Sequence, residues 1–197
     1  MAQIGKARVP TDSELKRLFS ITKVGRHARR NAAMLSVSYR LGFRAKEIAS
    51  LRIKDVLDDQ FKLREECRLT STMTKGGKPR IAYLTNPMVR QSIKEYLDER
   101  RELEGILFNA GSPLFKSQKG SFSPNTLQQL LRRLHDRAGV VGGRSHSGRR
   151  WFATELISKG IDIKAVSTLM GHSSVSMTAS YAQDNPQRLR RIVAALV

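Results

Sequence analysis

The sequence contains a single cysteine, Cys67, among its 197 residues. One thiol excludes an internal disulfide and a cysteine-based metal cluster, because both need more than one sulfur. Long apolar runs are also missing: no stretch of about 18 apolar residues could cross a membrane, and residues 1–10 lack the apolar core of a secretory signal. These absences favour a reduced, intracellular protein.

Acidic residues are few in comparison with basic ones. The sequence has 17 Asp and Glu against 36 Lys and Arg, which gives a net charge of +19. Such a surface repels itself and favours a polyanionic partner, most often nucleic acid. Charge alone also fits ribosomal, RNA-binding and membrane-surface proteins. Hydrophobic residues make up 40% of the chain, enough for the core of one domain.

Local patterns predict a mainly α-helical chain with a small antiparallel β-sheet, an α+β fold. Thr11 and Glu14 form a capping box, and Ser123 before Pro124 marks another helix start. The glycine pair 76–77 between two strand-like runs predicts a hairpin. The predicted helices cover residues 11–21, 27–41, 44–51, 86–104, 123–138, 146–159, 162–171, 174–182 and 186–197, and the predicted strands cover 61–74, 80–84 and 114–116.

The same patterns divide the chain into three regions. Residues 1–10 are a basic N-terminal tail, and residues 11–185 form one domain. Residues 186–197 are a helix with arginines on one face and apolar residues on the other.

Cleavage of a phosphodiester without a metal needs three kinds of group. A nucleophile attacks, cations hold the charge that builds on the non-bridging oxygens, and a proton donor assists the leaving oxygen. Arginine suits the second task because its planar fork binds two phosphate oxygens. Tyrosine becomes a nucleophile when its proton is removed. The residues that could fill these tasks are Arg44, Lys75, His146, Arg149, His172 and Tyr181.

These residues stand at regular spacings in the C-terminal third. His146 and Arg149 are three residues apart and share one face of a helix start, and Tyr181 follows His172 by nine residues. The other tyrosines fall on predicted apolar faces of helices or strands and are Tyr39, Tyr83 and Tyr96. Tyr181 is therefore the candidate nucleophile.

The segments that carry these groups resemble the motifs of the tyrosine recombinases, also called phage integrases. The first box is similar to residues 42–48, the hairpin lysine to 74–78, the second box to 146–150, and the nucleophile segment to 171–174 with Thr178 and Tyr181. The resemblance runs from about residue 11 to 185. It implies the fold of a tyrosine recombinase catalytic domain, in a short form similar to the fimbrial-switch or Xer-like recombinases.

The resemblance also implies a role for each residue. Arg44 and Arg149 would clamp the scissile phosphate, and His172 would donate a hydrogen bond to it. Glu47 would support the first box by pairing with an arginine. A solvated helix arginine, a helix-terminal histidine and a surface glutamate are the structural alternatives.

The remaining roles concern the nucleophile and the proton transfers. Tyr181 would attack the phosphorus and form a 3′-phosphotyrosine, with His146 in proton transfer at the phenol. Lys75 would protonate the leaving 5′-oxygen, a task that Lys78 could also perform. The alternatives are a packed aromatic, a capping or core histidine and a solvated turn lysine.

The implied function is site-specific DNA recombination by transesterification, with no metal, ATP or other cofactor. The implied partners are double-stranded DNA, further copies of the chain in a tetramer on two duplexes, and an accessory DNA-bending protein, all in the cytoplasm at the nucleoid and without a membrane. The helix over 186–197 would dock on a neighbouring protomer or pack on its own domain. The basic helix face over 128–137 would face DNA or solvent. A type IB topoisomerase and a non-catalytic DNA-binding regulator remain alternatives.

The sequence departs from the family pattern in three places. Gly148 replaces a leucine-like residue, so we expect a lost packing anchor and a looser helix start. Arg150 stands where many members have a second histidine. Only about ten residues precede the first predicted helix, which indicates either a truncated chain or a natural short form; the start at Met1 favours the short form.

Overall fold

The computed structural model describes residues 7–74, 76–181 and 193–194. Its α-helices are α1 (Asp12–Ser20), α2 (Ala28–Arg40), α3 (Ala45–Ser50), α4 (Pro87–Glu104), α5 (Pro124–Arg137), α6 (Ser147–Ser158), α7 (Ile163–Met170) and α8 (Val175–Ala179). Its strands are β1 (Glu66–Leu69), β2 (Arg80–Tyr83), β3 (Lys116–Ser117) and β4 (Gly120–Ser121). The predicted class, mainly helical with a small antiparallel sheet, is confirmed.

The helix starts follow local capping signals. Thr11 and Glu14 form the predicted capping box at α1, and the Ser123 side chain accepts the backbone N–H of Thr126 at α5. Asn86 and Asp162 cap α4 and α7 in the same way. Each cap satisfies a backbone donor that the helix itself leaves without a partner.

The main sheet is smaller than predicted. β1 and β2 pair antiparallel, with Leu69 opposite Arg80. The chain before β1 is not a strand, because Phe61 adopts a left-handed conformation (φ 59°) in a turn closed by its N–H bond to Asp58. The strand predicted over 114–116 begins only at Lys116, where β3 pairs with β4.

Helix α2 lies at the centre of the fold. It is buried along most of its length and packs against α3, α4 and α6. A second, smaller core between α6 and α7 contains Ala153, Ile157, Val166 and Met170. This second core holds the C-terminal segment against the first.

The expectation for Gly148 was wrong. This glycine is buried in the first turn of α6, and a β-carbon there would collide with the hydroxyl of Ser38 and lie 2.9 Å from a ring carbon of Tyr39. The missing side chain therefore allows α6 to start in direct contact with α2 and does not leave a gap.

Some predictions fall on residues outside the described ranges. These are Lys75, most of the basic tail over 1–10 and, apart from 193–194, the helix over 186–197. Within the described ranges no helix is both long and apolar enough to cross a membrane.

Candidate active site

Arg44 and Glu47 form an ion pair at the start of α3. The carboxylate of Glu47 accepts the backbone N–H of Arg44 at 2.8 Å and its Nη1 at 2.9 Å. Glu47 is fully buried, whereas the Arg44 side chain keeps 15% of its surface exposed. Burial alone would raise the pKa of the Glu47 carboxyl, but Arg80 and Arg44 hold that pKa below its usual value. Glu47 is therefore a fixed anion that orients the Arg44 guanidinium.

Arg149 points inward from the first turn of α6 and is 2% exposed. Its Nη1 donates to the Gly42 carbonyl at 2.7 Å, and its Nη2 donates to the Met170 carbonyl. Burial, followed by repulsion from Arg44, lowers the pKa of the Arg149 guanidinium to about 9. Since such repulsion requires proximity, the two candidate clamp arginines lie in one region.

His172 follows the left-handed residue Gly171 (φ 59°) that ends α7. Its Nδ1 lies 2.8 Å from the hydroxyl of Thr178, which is fully buried in α8. Burial and then repulsion from Arg149 and Arg44 lower the pKa of the imidazole to about 4. His172 is therefore neutral at pH 7, with one ring nitrogen engaged by Thr178.

Tyr181 lies beside His172. The two rings stack, with centroids 5.8 Å apart and planes 17° apart, and the Arg150 guanidinium carbon is 5.4 Å from the centre of the phenol ring. Tyr181 also packs against the core between α6 and α7. It lines a pocket of about 440 Å³ together with His146, Arg150 and Gln128. The structure thus brings His146 and His172 to the same phenol.

The other tyrosines differ in their surroundings. Tyr39 is fully buried and its hydroxyl lies 2.6 Å from His135 Nε2, and Tyr96 is also buried. Tyr83 is 48% exposed, so its expected place on an apolar face was wrong. The alternation of β2 turns Arg80 inward and Tyr83 to solvent.

Two residues at the site were not singled out from the sequence. Arg80 donates to both Glu47 and the Leu169 carbonyl at 2.8 Å, and Thr178 contacts His172. Strand alternation could have indicated Arg80, because it shares the face of Ala82 on the predicted strand 80–84. No local signal marks Thr178 as the partner of His172.

Comparison with known proteins agrees with this geometry. Residues 8–188 match the model of the phage integrase family. The chain belongs to this family. Among its phage integrase relatives, tyrosine recombinase XerA of Pyrococcus furiosus is 30% identical over 183 residues, which cover 93% of this chain and 59% of XerA. Tyrosine recombinase XerD of Mycobacterium leprae is 35% identical over 172 residues, or 84% of this chain and 51% of XerD. The chain spans about half to three fifths of the length of these curated relatives.

Solved structures of phage integrase relatives share the fold. The crystal structure of XerA recombinase superposes with a TM-score of 0.76 at 26% identity and covers 96% of this chain and 65% of its own. The XerH recombinase bound to a palindromic difH substrate, a post-cleavage complex, has a TM-score of 0.71 at 26% identity over 95% of this chain and 52% of its own.

Proposed function

We propose that this chain is the catalytic domain of a site-specific DNA recombinase that breaks and rejoins DNA through a 3′-phosphotyrosine at Tyr181. One observation carries the proposal. Arg44 and Arg149 are close enough to lower the pKa of His172, and the ring of His172 stacks on Tyr181. Two guanidinium groups and an imidazole beside a phenol are what phosphoryl transfer to tyrosine requires.

The reaction is a transesterification. The phenol oxygen of Tyr181 attacks the scissile phosphorus, a phosphorus–tyrosine bond forms, and the bond to the 5′-oxygen breaks. His146, which lines the same pocket as Tyr181, takes the phenol proton. Lys75 or Lys78 protonates the leaving 5′-oxygen. A 5′-hydroxyl from another strand reverses the step, so the bond energy is kept in the phosphotyrosine.

The cations offset the charge that builds on the non-bridging oxygens. Arg44 is the more accessible of the two arginines, because 15% of its side chain is exposed, whereas Arg149 is 2% exposed. Contact between Arg149 and a phosphate therefore requires a shift of the groups that cover it. His172 donates from Nε2, which requires that the Thr178 hydroxyl donates to Nδ1.

The proposed partners are double-stranded DNA and further copies of the chain. Relatives of this fold have been solved on DNA, including XerH with its difH substrate before and after cleavage. Recombination joins two duplexes, so four protomers assemble around them, with the helix over 186–197 docked on a neighbour. An accessory DNA-bending protein and a place at the nucleoid complete the proposal.

A nicked suicide duplex tests the reaction. The duplex carries a site selected for binding from random DNA, and the nick lets the cleaved 5′ fragment diffuse away. We expect a denaturant-resistant protein–DNA adduct with the parent chain, none with Tyr181→Phe and strongly reduced amounts with Arg149→Ala. Tyr83→Phe, which changes an exposed tyrosine outside the site, is the matched control and forms the adduct normally.

The same assay separates the alternatives. Absence of an adduct from the parent chain on every selected site would refute the proposal. Relaxation of supercoiled DNA by single protomers at any sequence would favour a topoisomerase. A Tyr181→Phe protein with every activity of the parent would favour a DNA-binding regulator.

A further inference from the structure

Arg80 is a buried arginine at the edge of the candidate site, with only 4% of its side chain exposed. We infer that Arg80 is a positioning residue that holds the segment from Gly171 to Tyr181 at a fixed distance from the Arg44–Glu47 pair. The inference rests on the proposed recombinase reaction, in which this segment carries the nucleophile.

One guanidinium joins two elements that are far apart in the sequence. Nη2 donates to the Glu47 carboxylate of α3, and Nη1 donates to the Leu169 carbonyl at the end of α7, both at 2.8 Å. The guanidinium also lies 4.9 Å from the centre of the Phe43 ring. Arg80 therefore fixes the end of α7 against the first turn of α3.

The turn that delivers His172 is built around the stem of Arg80. A β-carbon at Gly171 would lie 2.6 Å from Arg80 Cδ, so the stem occupies the space that a side chain would fill. The turn is closed by the His172 N–H, which donates to the Ser167 carbonyl at 3.1 Å. A shift of Arg80 would therefore move His172 and the phenol stacked on it.

Arg80 and Arg149 share the end of α7. They bind the consecutive carbonyls of Leu169 and Met170, where the helix leaves carbonyls without partners and its dipole favours cations. Arg149 belongs to the proposed phosphate clamp, whereas both terminal nitrogens of Arg80 are bound to protein. The structure thus separates a clamp arginine from a positioning arginine on the same helix end.

Lysine cannot replace Arg80 fully. Its single ammonium lacks the planar fork that reaches a carboxylate and a carbonyl in two directions. Arg80→Lys keeps the positive charge next to Glu47 but loses one of the two connections. It should therefore have a partial form of the defect that Arg80→Met has in full.

Arg100 provides a matched control. It is 3% exposed on α4, binds Glu104 with two nitrogens and donates to the carbonyls of Pro113 and Leu114. None of these partners is a candidate site residue. Arg100→Met therefore removes a similarly bound buried arginine without touching the segment that carries His172.

Two measurements on the full chain test the inference. The first is amide hydrogen exchange of residues 171–181 without DNA, and the second is the rate of adduct formation at saturating nicked duplex, with DNA affinity measured in parallel. Arg80→Met should exchange faster in this segment and form adduct about 100-fold more slowly, as expected for an ångström-scale misplacement, with nearly parental affinity. Arg100→Met should lower the melting temperature but leave both readouts at parental values.

The outcomes distinguish this inference from the proposed function. Parental exchange of residues 171–181 in Arg80→Met would overturn the inference, whether or not any DNA is cleaved. Faster exchange with a parental adduct rate would also overturn it, because the hold would not matter for the reaction. Absence of an adduct from the parent chain would refute the proposed function alone, and the exchange result would still decide on the hold. If Arg80→Met does not fold, Arg80→Lys is measured in its place, with an expected loss of about tenfold.

Discussion

At the residue scale, the direction of one hydrogen bond decides what His172 can do. A neutral imidazole donates from one nitrogen and accepts at the other. The Thr178 hydroxyl lies 2.8 Å from Nδ1, and if it donates there, Nε2 carries the proton and faces a phosphate as a donor. Thr178 is therefore the residue that selects the useful tautomer.

Replacement of Thr178 by valine removes this selection with little change in volume. We expect Thr178→Val to slow adduct formation by about ten- to a hundredfold, as for the partners that orient metal-bound histidines. The measurement is the single-turnover rate at saturating DNA. Thr168→Val is the control, because the Thr168 hydroxyl only donates to the Lys164 carbonyl in its own helix. Equal rates for the two variants would contradict the role of Thr178.

The protonation of His172 gives a second prediction at this scale. Burial and the nearby arginines lower the pKa of the folded imidazole from 6.5 to about 4. An NMR titration without DNA should show that midpoint, and Arg44→Ala should raise it because a repelling charge is removed. A midpoint at or above 6.5 in the parent chain would contradict the crowded cationic environment.

The same shift makes folding depend on pH. At pH 7 His172 is neutral in both the folded and the unfolded chain, so its contribution is complete. Below pH 6.5 the unfolded chain binds a proton that the folded chain does not bind, so the free energy of unfolding falls as the pH approaches 4. Urea unfolding from pH 7 to 4 should show a smaller loss in His172→Gln than in the parent chain.

At the element scale, the contact between α2 and α6 depends on Gly148. Alanine favours a helix interior by about 1 kcal/mol over glycine, but a β-carbon here would meet Ser38 and Tyr39. Overpacking of a tight contact costs about 1–3 kcal/mol. We therefore expect Gly148→Ala to lower the free energy of unfolding, measured by urea denaturation.

A double variant tests the cause of this loss. Ser38→Ala removes the closest group, so the loss from Gly148→Ala should be smaller in the Ser38→Ala background. Equal losses in the two backgrounds would place the cost elsewhere than in this contact.

The elements also show which parts of the fold the sequence predicts. The starts of α1 and α5 were predicted because Thr11 and Ser123 form their caps within three residues. The strand over 61–74 was predicted too long because the left-handed turn at Phe61 follows no residue preference. Gly148 was misjudged because the surface that it contacts, on α2, is distant in sequence.

At the scale of the whole molecule, the candidate site depends on contacts that only folding creates. The family motifs predicted which side chains carry the chemistry. They did not predict that Arg149 is buried on two carbonyls, or that Arg80 joins Glu47 across 33 residues of sequence. These contacts are set by how β2, α3 and α7 meet, and no local pattern contains that information.

The net charge of +19 gives a prediction for DNA binding as a whole. Gln128 of α5 lines the pocket of Tyr181, and the exposed arginines at 132, 133 and 137 continue along this helix. Changing these three to glutamine should weaken binding and reduce the slope of log affinity against log salt by about 2, close to one unit per lost phosphate contact.

A control variant with the same loss of charge makes this result specific. Glutamine at Lys62, Lys94 and Arg101, which border a different cavity, should change the slope by less than about 1. Equal changes in the two triple variants would show that α5 does not face the DNA backbone in particular.

The central claim is that folding places the phenol of Tyr181 at a phosphorus held by Arg44, Arg149 and His172. Mass spectrometry of the trapped adduct, after protease and nuclease digestion, tests it most directly. We predict one modified peptide, with a nucleotide joined through its 3′-phosphate to the oxygen of Tyr181. A nucleotide on any other residue, or a link through a 5′-phosphate, would contradict the account.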